Sequence, residues 1–301
     1  MHSKAAAIRR AGPVRKMIQI VRDSVTAWVD HNASSLGAAL AFYTMFSIAP
    51  ILVIGMAIAG YVLGSNVAEL RVLEEMRALL GDAGAAAVQS LLTSAQQSEK
   101  RGFAAAVGII TLLIGATSVF GELQNTLDYI WKSPPQKDSL AWWRILRSRI
   151  LSVGLILGVG FLLMVSLLAS AALAALGAWL RSYVVQWAVI LPALDIVLSL
   201  GLTTLLFAMI YKYVPRETIA WGDVWIGGLV TAGLFTVGKL LIGLYLGRSS
   251  LSSAYGAAGS IMVLLLWIYY SAQIFLLGAE FTHVFTYAHG SRSAKRRPSA
   301  T

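Results

Sequence analysis

The chain has 301 residues, 57% of them hydrophobic and 13% charged, with a formal net charge of +10. A soluble domain usually carries about 25% charged residues, so a soluble enzyme of this length is excluded, and disordered or collagen-like chains show the opposite bias. The composition fits an all-α polytopic membrane protein, and with no cysteine it can hold neither a disulfide framework nor a thiolate metal site.

Residues 1–34 read as a cytoplasmic N-terminal segment. No continuous apolar core lies before Asn32, so no cleaved leader is expected. Pro13 stands where a helix often begins, and Val14, Ile18, Val21, Val25, Trp28 and Val29 follow at helical spacing with Arg15, Lys16 and Arg22 between them. This pattern predicts an amphipathic helix lying in the cytoplasmic interface.

Residues 35–285 form the membrane domain. Apolar runs of about 20 residues read as membrane helices, and six are found, at Ser35–Leu63, Phe103–Ile130, Ile150–Trp179, Asp195–Tyr213, Val224–Leu246 and Ala257–Phe285. Between the first two, residues 64–102 predict an external helical hairpin. Asn66 with Glu69 makes a capping-box-like start, Val67, Leu70, Leu73 and Leu80 mark an apolar face, and Gly81–Gly84 breaks it before Ala85–Ala95. It reads as a gate, a partner surface or a simple lid. The basic residues 286–301 predict a disordered cytoplasmic tail.

Basic residues orient the bundle. With both termini cytoplasmic, 17 of the 24 Lys and Arg fall inside, six fall outside, and Lys239 lies within a span. That asymmetry is the positive-inside pattern. It accounts for the net charge without nucleic acid, since every basic cluster flanks a span.

Ionisable groups at membrane depth are costly and default to functional candidates. Asp195 follows Pro192 and opens the fourth span, which predicts an N-cap. Lys239 stands well inside the fifth span, where it either snorkels to the headgroups or faces a wet cavity and meets an anion. On the second span Thr111, Ser118, Glu122, Asn125 and Tyr129 form one polar line, expected to face the bundle because lipid cannot satisfy it. On the sixth, Leu266, Tyr269 or Tyr270, Gln273, Leu277 and Glu280 line up likewise. Glu122 and Glu280 both fall toward the cytoplasmic ends of their spans, either lining an inward-facing vestibule or pairing with nearby groups to hold helix register.

Pro50 interrupts the first span, with Tyr43, Thr44 and Ser47 just before it; broken helices in transporters often border the binding site. The spacings Gly60/Gly64, Gly154/Gly158 and Gly243/Gly247 suit close helix packing, within one chain or in a homo-oligomer.

One stretch is specific. Tyr255-Gly256-Ala257-Ala258-Gly259, running to Trp267-Ile268-Tyr269-Tyr270 and then Gly278-Ala279-Glu280, closely resembles the signature of the YihY/BrkB membrane family. Supporting it are Ala41-Phe42-Tyr43-Thr44 ahead of Pro50, Gln124-Asn125-Thr126-Leu127 leading to Ile130-Trp131, and Tyr211-Lys212-Tyr213-Val214-Pro215 ahead of Trp221. The resemblance covers about Asn32 to Phe285 and implies a six-helix, multi-pass protein of the bacterial inner membrane. The family has carried a ribonuclease label. His2, His31, His283 and His289 form no paired ligand motif here, so the nuclease reading is rejected and neither metal nor cofactor is expected. Phosphate-loop and nucleophile-elbow motifs are absent as well.

The leading expectation is a transporter or exporter of an amphipathic or anionic compound, with lipids and lipid-linked molecules among the candidates, in contact with membrane lipids and not with nucleic acid. Glu122 and Glu280 would couple protons or cations, Lys239 would contact the anion, and Asn125 and Gln273 would orient the ligand, with Tyr43, Ser47, Pro50 and Tyr269 as further pathway positions. The alternatives are a non-catalytic scaffold for envelope assembly and, third, an intramembrane enzyme, for which no nucleophile arrangement is present. No convincing self-similarity relates the first three spans to the last three.

Overall fold

The structure is a computed structural model that describes residues 13–47, 118–133, 187–248 and 259–292, together with positions 73, 74, 77, 85, 86, 89, 93 and 154. Among the described residues the regular structure is helical, with no strand. The elements are α1 (Pro13–Asp30), α2 (33–47), α3 (118–130), α4 (Trp187–Tyr213), α5 (Trp221–Arg248) and α6 (Gly259–Ala288). Segments of α4, α5 and α6, at Ala193–Tyr213, Trp221–Tyr245 and Ile261–Ala288, are long and apolar enough to cross a membrane. The third span apart from Gly154, the start of the second, the first beyond Ser47 with Pro50, and the tail after Arg292 lie outside the described residues. Of the external hairpin only isolated positions are described; Leu73, Glu74, Arg77, Ala85, Ala86, Gln89 and Thr93 are helical.

Helix ends follow local chemistry. α1 stops at a turn in which Asn32, a residue that tolerates the left-handed region, takes φ 51°. At the end of α3, Lys132 takes φ 49°, its N–H bonds the Tyr129 carbonyl and the Ser133 N–H bonds the Asp128 carbonyl. Those two bonds define a Schellman cap, usually built on glycine. α4 departs from expectation: it begins at Trp187, eight residues before Asp195. Asp195 therefore lies inside the helix and caps nothing. The apolar run Trp187–Leu191 carries the helix through Pro192 despite the lost backbone donor.

The chain divides into two compact units, one of Met1–Ala33, Thr126–Leu234 and Leu276–Thr301, the other of Ser34–Asn125 and Phe235–Phe275. In the first, glycine permits close helix contact. A Cβ on Gly228 would stand 2.8 Å from the Thr204 carbonyl oxygen and 3.0 Å from the Ala208 nitrogen, so α4 and α5 meet backbone to backbone. One on Gly227 would collide with Thr282, and one on Gly278 with Thr231 and the Tyr211 hydroxyl. The hydroxyls at these contacts satisfy themselves within their own helices, as Thr204 to Leu200, Thr231 to Gly227 and Thr282 to Gly278, each at 2.7 Å. Such back-bonding lets a polar side chain sit at an apolar contact. Tyr211 adds a cross-helix bond to Thr231 at 3.1 Å.

In the second unit Gly238 meets Tyr270 and Ile274 of α6, Gly37 of α2 meets the Gln273 amide, and Ile242 and Val263 form a core with Leu266, Trp267 and Tyr270 packed on it. Of the glycines in the expected GxxxG pairs, Gly154 and Gly243 meet nothing within 4 Å at a Cβ position, and Gly60, Gly64 and Gly158 lie outside the described residues. Spacing alone does not say which face a helix turns to its neighbour.

We expect Gly228→Ala and Gly278→Ala to destabilise by about 1–3 kcal/mol through overpacking. Gly243→Ala should instead stabilise by about 0.5–1 kcal/mol, because a helical glycine is replaced without a clash. Thermal unfolding in detergent, followed by circular dichroism, checks both signs.

Candidate functional site

The most polar buried group among the described residues is Glu280, on α6 in the first unit, with no exposed side-chain surface. A carboxyl taken out of water costs several kcal/mol of desolvation unless it is paired and hydrogen-bonded. Its partner is His31, one residue past the end of α1, whose Nδ1 lies 2.6 Å from Glu280 Oε1. The turn around Asn32 holds His31 there: the His31 N–H still bonds the Ala27 carbonyl at 2.9 Å, continuing the helical geometry of α1 to this residue. The 2.6 Å gap accommodates one proton, donated either by Nδ1 to a carboxylate or by the carboxylic acid to a neutral ring. The His31 side chain keeps 17% of its surface, so the pair connects a sealed acid to a group that touches solvent.

Around the pair stand further polar and aromatic groups. Tyr129 meets the His31 ring edge-on at 5.2 Å. Lys132, exposed in its left-handed cap, acts electrostatically on both Glu280 and His283. His283 lies three residues along α6 from Glu280, on the same side of the helix. It sits between Trp131 and Tyr287, both edge-on, with ring centroids 5.2 and 4.9 Å away. Glu280 Oε2, His283 Nδ1 and Trp131 Nε1 are buried with no hydrogen-bond partner among the described residues. Two imidazoles, a carboxyl and a lysine in this arrangement can hold and pass protons. No group of three metal-ligating side chains occurs among the described residues.

A charged clasp completes this unit. In the α4–α5 junction the Arg216 N–H donates to Asp128 Oδ1 at 2.8 Å, and its Nε pairs with Oδ2 at 3.1 Å. Arg292 donates to Glu217 at 2.7 Å, to the Thr218 carbonyl at 2.8 Å and to the Tyr287 hydroxyl at 3.0 Å. The bond to Glu217 lifts the Arg292 guanidinium above its already high ordinary value. Asp223, buried in the first turn of α5, accepts from the Ser291 hydroxyl at 2.7 Å and the Ser291 N–H at 3.1 Å. Lys212 donates to the Ile219 carbonyl and lies over the Trp221 ring. The loop 214–220 is thereby tied to α3 and to the end of α6.

The other sequence-predicted positions fall in the second unit. Glu122 and Lys239 are half-buried, and no partner for either is found among the described residues. Asn125 is exposed. Gln273 is half-buried, its Nε2 donating to the Ser34 carbonyl at 3.4 Å while its Oε1 is buried without a partner. Tyr269 is half-buried, and Tyr43 is exposed beside Phe42. Ser47 is buried and donates to the Thr44 carbonyl at 3.0 Å. Pro50 lies outside the described residues. Of the expected polar line, Ser118 and Glu122 are half-buried, Asn125 and Tyr129 are exposed and Thr111 lies outside the described residues, whereas Leu127, Ile130 and, just past the helix, Trp131 are buried. In the sequence His31 and His283 show no paired metal-ligand spacing, and nothing in their spacing links either to Glu280. The signal that marks His31 is its place at the end of an amphipathic helix, next to an asparagine suited to a left-handed turn.

Because breaking a buried charged pair leaves one partner uncompensated, His31→Ala should cost about 3–5 kcal/mol, less what protonation of Glu280 relieves. The double variant His31→Ala/Glu280→Leu should recover most of it. A double-mutant cycle by thermal unfolding reads the coupling, and additive losses would show that the two side chains do not interact.

A family profile described as Virulence factor BrkB matches residues 24–301. A UPF0761 membrane protein of Rhodospirillum centenum is 26% identical over 281 residues, covering 91% of this chain and 59% of that protein. One of Nitrosospira multiformis is 27% identical over 279 residues, covering 89% and 62%. One of Albidiferax ferrireducens is 31% identical over 251 residues, covering 80% and 56%. The chain spans little more than half the length of these relatives. No solved structure matches it. With three helices among the described residues fit to cross a bilayer and a family match over nearly all its length, the chain is an integral membrane protein belonging to the family described as virulence factor BrkB.

Proposed function

We propose that this protein is a multi-pass transporter of the bacterial inner membrane, with six spans and cytoplasmic termini, that moves an amphipathic anion across the bilayer. The observation that carries this reading is the uncovered polar set of the second unit. Asn125 is exposed, while Glu122 and the intramembrane Lys239 are half-buried and unpartnered among the described residues. Hydrocarbon cannot satisfy such groups, so at span depth they require water or a polar cargo. Leu127 and Ile130 are the buried apolar residues of this helix, and Glu122 and Asn125 are available to a pathway. A scaffold would be expected to consume that line in packing.

Lys239 supplies the positive charge an anionic head group would meet, and Asn125 and Gln273 supply amide donors and acceptors to orient it. Glu280 with His31 is the proton-handling pair, able to exchange one proton without exposing the carboxyl. The absence of a phosphate-loop motif suits coupling to an ion gradient. One specific observation favours the scaffold instead: the charged clasp around residues 212–223 fixes three elements firmly.

The test uses purified protein in liposomes with fluorescent phospholipids and a panel of amphipathic anions, with and without a proton gradient. Wild type should move at least one of them. Lys239→Ala should lower flux at least tenfold by weakening anion binding, and Glu280→Gln should abolish its dependence on the gradient. Flux untouched by both substitutions at equal protein levels would sink the site assignment, and no flux from folded protein would favour the scaffold.

Topology is checked separately. Because the chain has no cysteine, Ser3→Cys and Ser299→Cys each provide one thiol, which should react with an impermeant maleimide in inverted vesicles and not in intact cells.

A further inference from the structure

α1 presents three faces. Ile20, Ser24, Ala27 and His31 form the one turned to the protein, with Ile20 and Ser24 buried and His31 on Glu280. Beside it runs a stripe that packing leaves uncovered: Ile18, Val21, Val25 and Val29 are 61, 48, 45 and 58% exposed. The third face is polar, with Asp23, Thr26 and Asp30 exposed. Arg15 and Arg22, seven residues apart and therefore on one side of the helix, border the stripe. Four apolar side chains in a row, rimmed by arginines, are not a surface that water stabilises.

The depth of this stripe follows from the His31–Glu280 contact. The span Ile261–Ala288 has 28 residues; at 1.5 Å per residue it is about 42 Å long, about 12 Å more than a hydrocarbon core of ~30 Å. Centred, it projects about 6 Å at each end, and Glu280, eight residues before Ala288, lies about 12 Å from that end, hence about 6 Å below the hydrocarbon boundary. The apolar face of an interfacial helix buries itself about 5–10 Å into this same region. Arg292, paired with Glu217, marks the watery side of that end.

We infer that α1 is docked on the surface of an acidic phospholipid bilayer by its uncovered Ile18–Val29 stripe, and that this docking holds His31 against Glu280. The stripe takes acyl chains, and Arg15 and Arg22 take lipid phosphates at its edge. Lipid is then a partner of the buried pair: an α1 lifted from the surface carries His31 away and leaves Glu280 sealed without its partner. The inference rests on the membrane embedding of α6 and not on the transport reading.

The chain's lack of cysteine makes the test direct. Single spin labels at Val21→Cys, Val25→Cys, Asp23→Cys and Thr26→Cys in the full chain are compared in nanodiscs of phosphatidylglycerol and of pure phosphatidylcholine. In the acidic discs, labels at 21 and 25 should collide with oxygen and be shielded from a nickel chelate, and labels at 23 and 26 should show the reverse. The contrast should fall in phosphatidylcholine. Equal chelate access at all four positions overturns the docking, equal contrast in the two lipids overturns the acidic partner, and mutual broadening of the labels at 21 would mean that a second copy covers the stripe. Pulsed distance measurement between labels at Thr26→Cys and His289→Cys then reads the link to the pair. A single narrow distance in acidic discs should be lost when Val25→Asp is added, and an unchanged distribution would show that lipid seating does not hold α1 in place. Neither readout depends on flux, so failure of docking and failure of transport are told apart.

Discussion

A carboxyl group sealed inside a membrane-embedded bundle has to find its hydrogen-bond partner within the protein, and at Glu280 that requirement organises the first unit. The partner comes from outside the long apolar helices: His31 arrives on the end of α1, held by a left-handed turn at Asn32. That one contact sets where α1 lies, which face it turns to the protein and which it leaves to its surroundings. A leucine at 280 would remove the need for His31 at this position. Burial, pairing and the course of the chain therefore cannot be assigned independently here.

The apolar contacts obey a second constraint, close approach without loss of polar satisfaction. Gly227, Gly228 and Gly278 bring α4, α5 and α6 together, and the hydroxyls in the same contacts return their protons to carbonyls of their own helices. In a bilayer, helix association gains nothing from removing apolar surface from water, so tight packing and hydrogen bonds must supply it. Threonine beside glycine provides both: its hydroxyl oxygen stands in the space opened by the missing side chain, and the hydroxyl proton goes to a carbonyl of its own helix. Tyr211 is the exception, reaching across to Thr231, and it is fully buried where that bond is made.

How much could be read in the sequence depended on whether a feature was local. The helical character, the start of α1 at Pro13 and the long apolar helices α5 and α6 followed from periodicity and composition, which are properties of neighbouring residues. Glu280 was marked by its cost at membrane depth. Its partner was not, because a separation of 249 residues leaves no trace in spacing. Asp195 misled for a related reason: a carboxylate after proline has the chemistry of a cap, but the apolar stretch before it was long enough to continue the helix backward. The contacts of Gly227, Gly228 and Gly278 were not legible because spacing reports that residues share a face, and not which neighbour that face meets.

The surroundings of Glu280 are not what stability alone would select. A buried ion pair is often matched or exceeded in stability by well-packed apolar residues of the same volume, yet acid and imidazole stand together here. Lys132 occupies a left-handed position where a side chain costs about 1 kcal/mol that glycine would not, and from there its charge acts on both Glu280 and His283. His283 and Trp131 hold buried ring nitrogens without a partner among the described residues, each forgoing hydrogen-bond energy. Any one of these departures has a local explanation. Three different costs, in helix capping, ion pairing and hydrogen bonding, converge on one end of α6. Sequences that break several local rules at one place do so where something other than folding is being served, and the groups assembled there are those that carry protons.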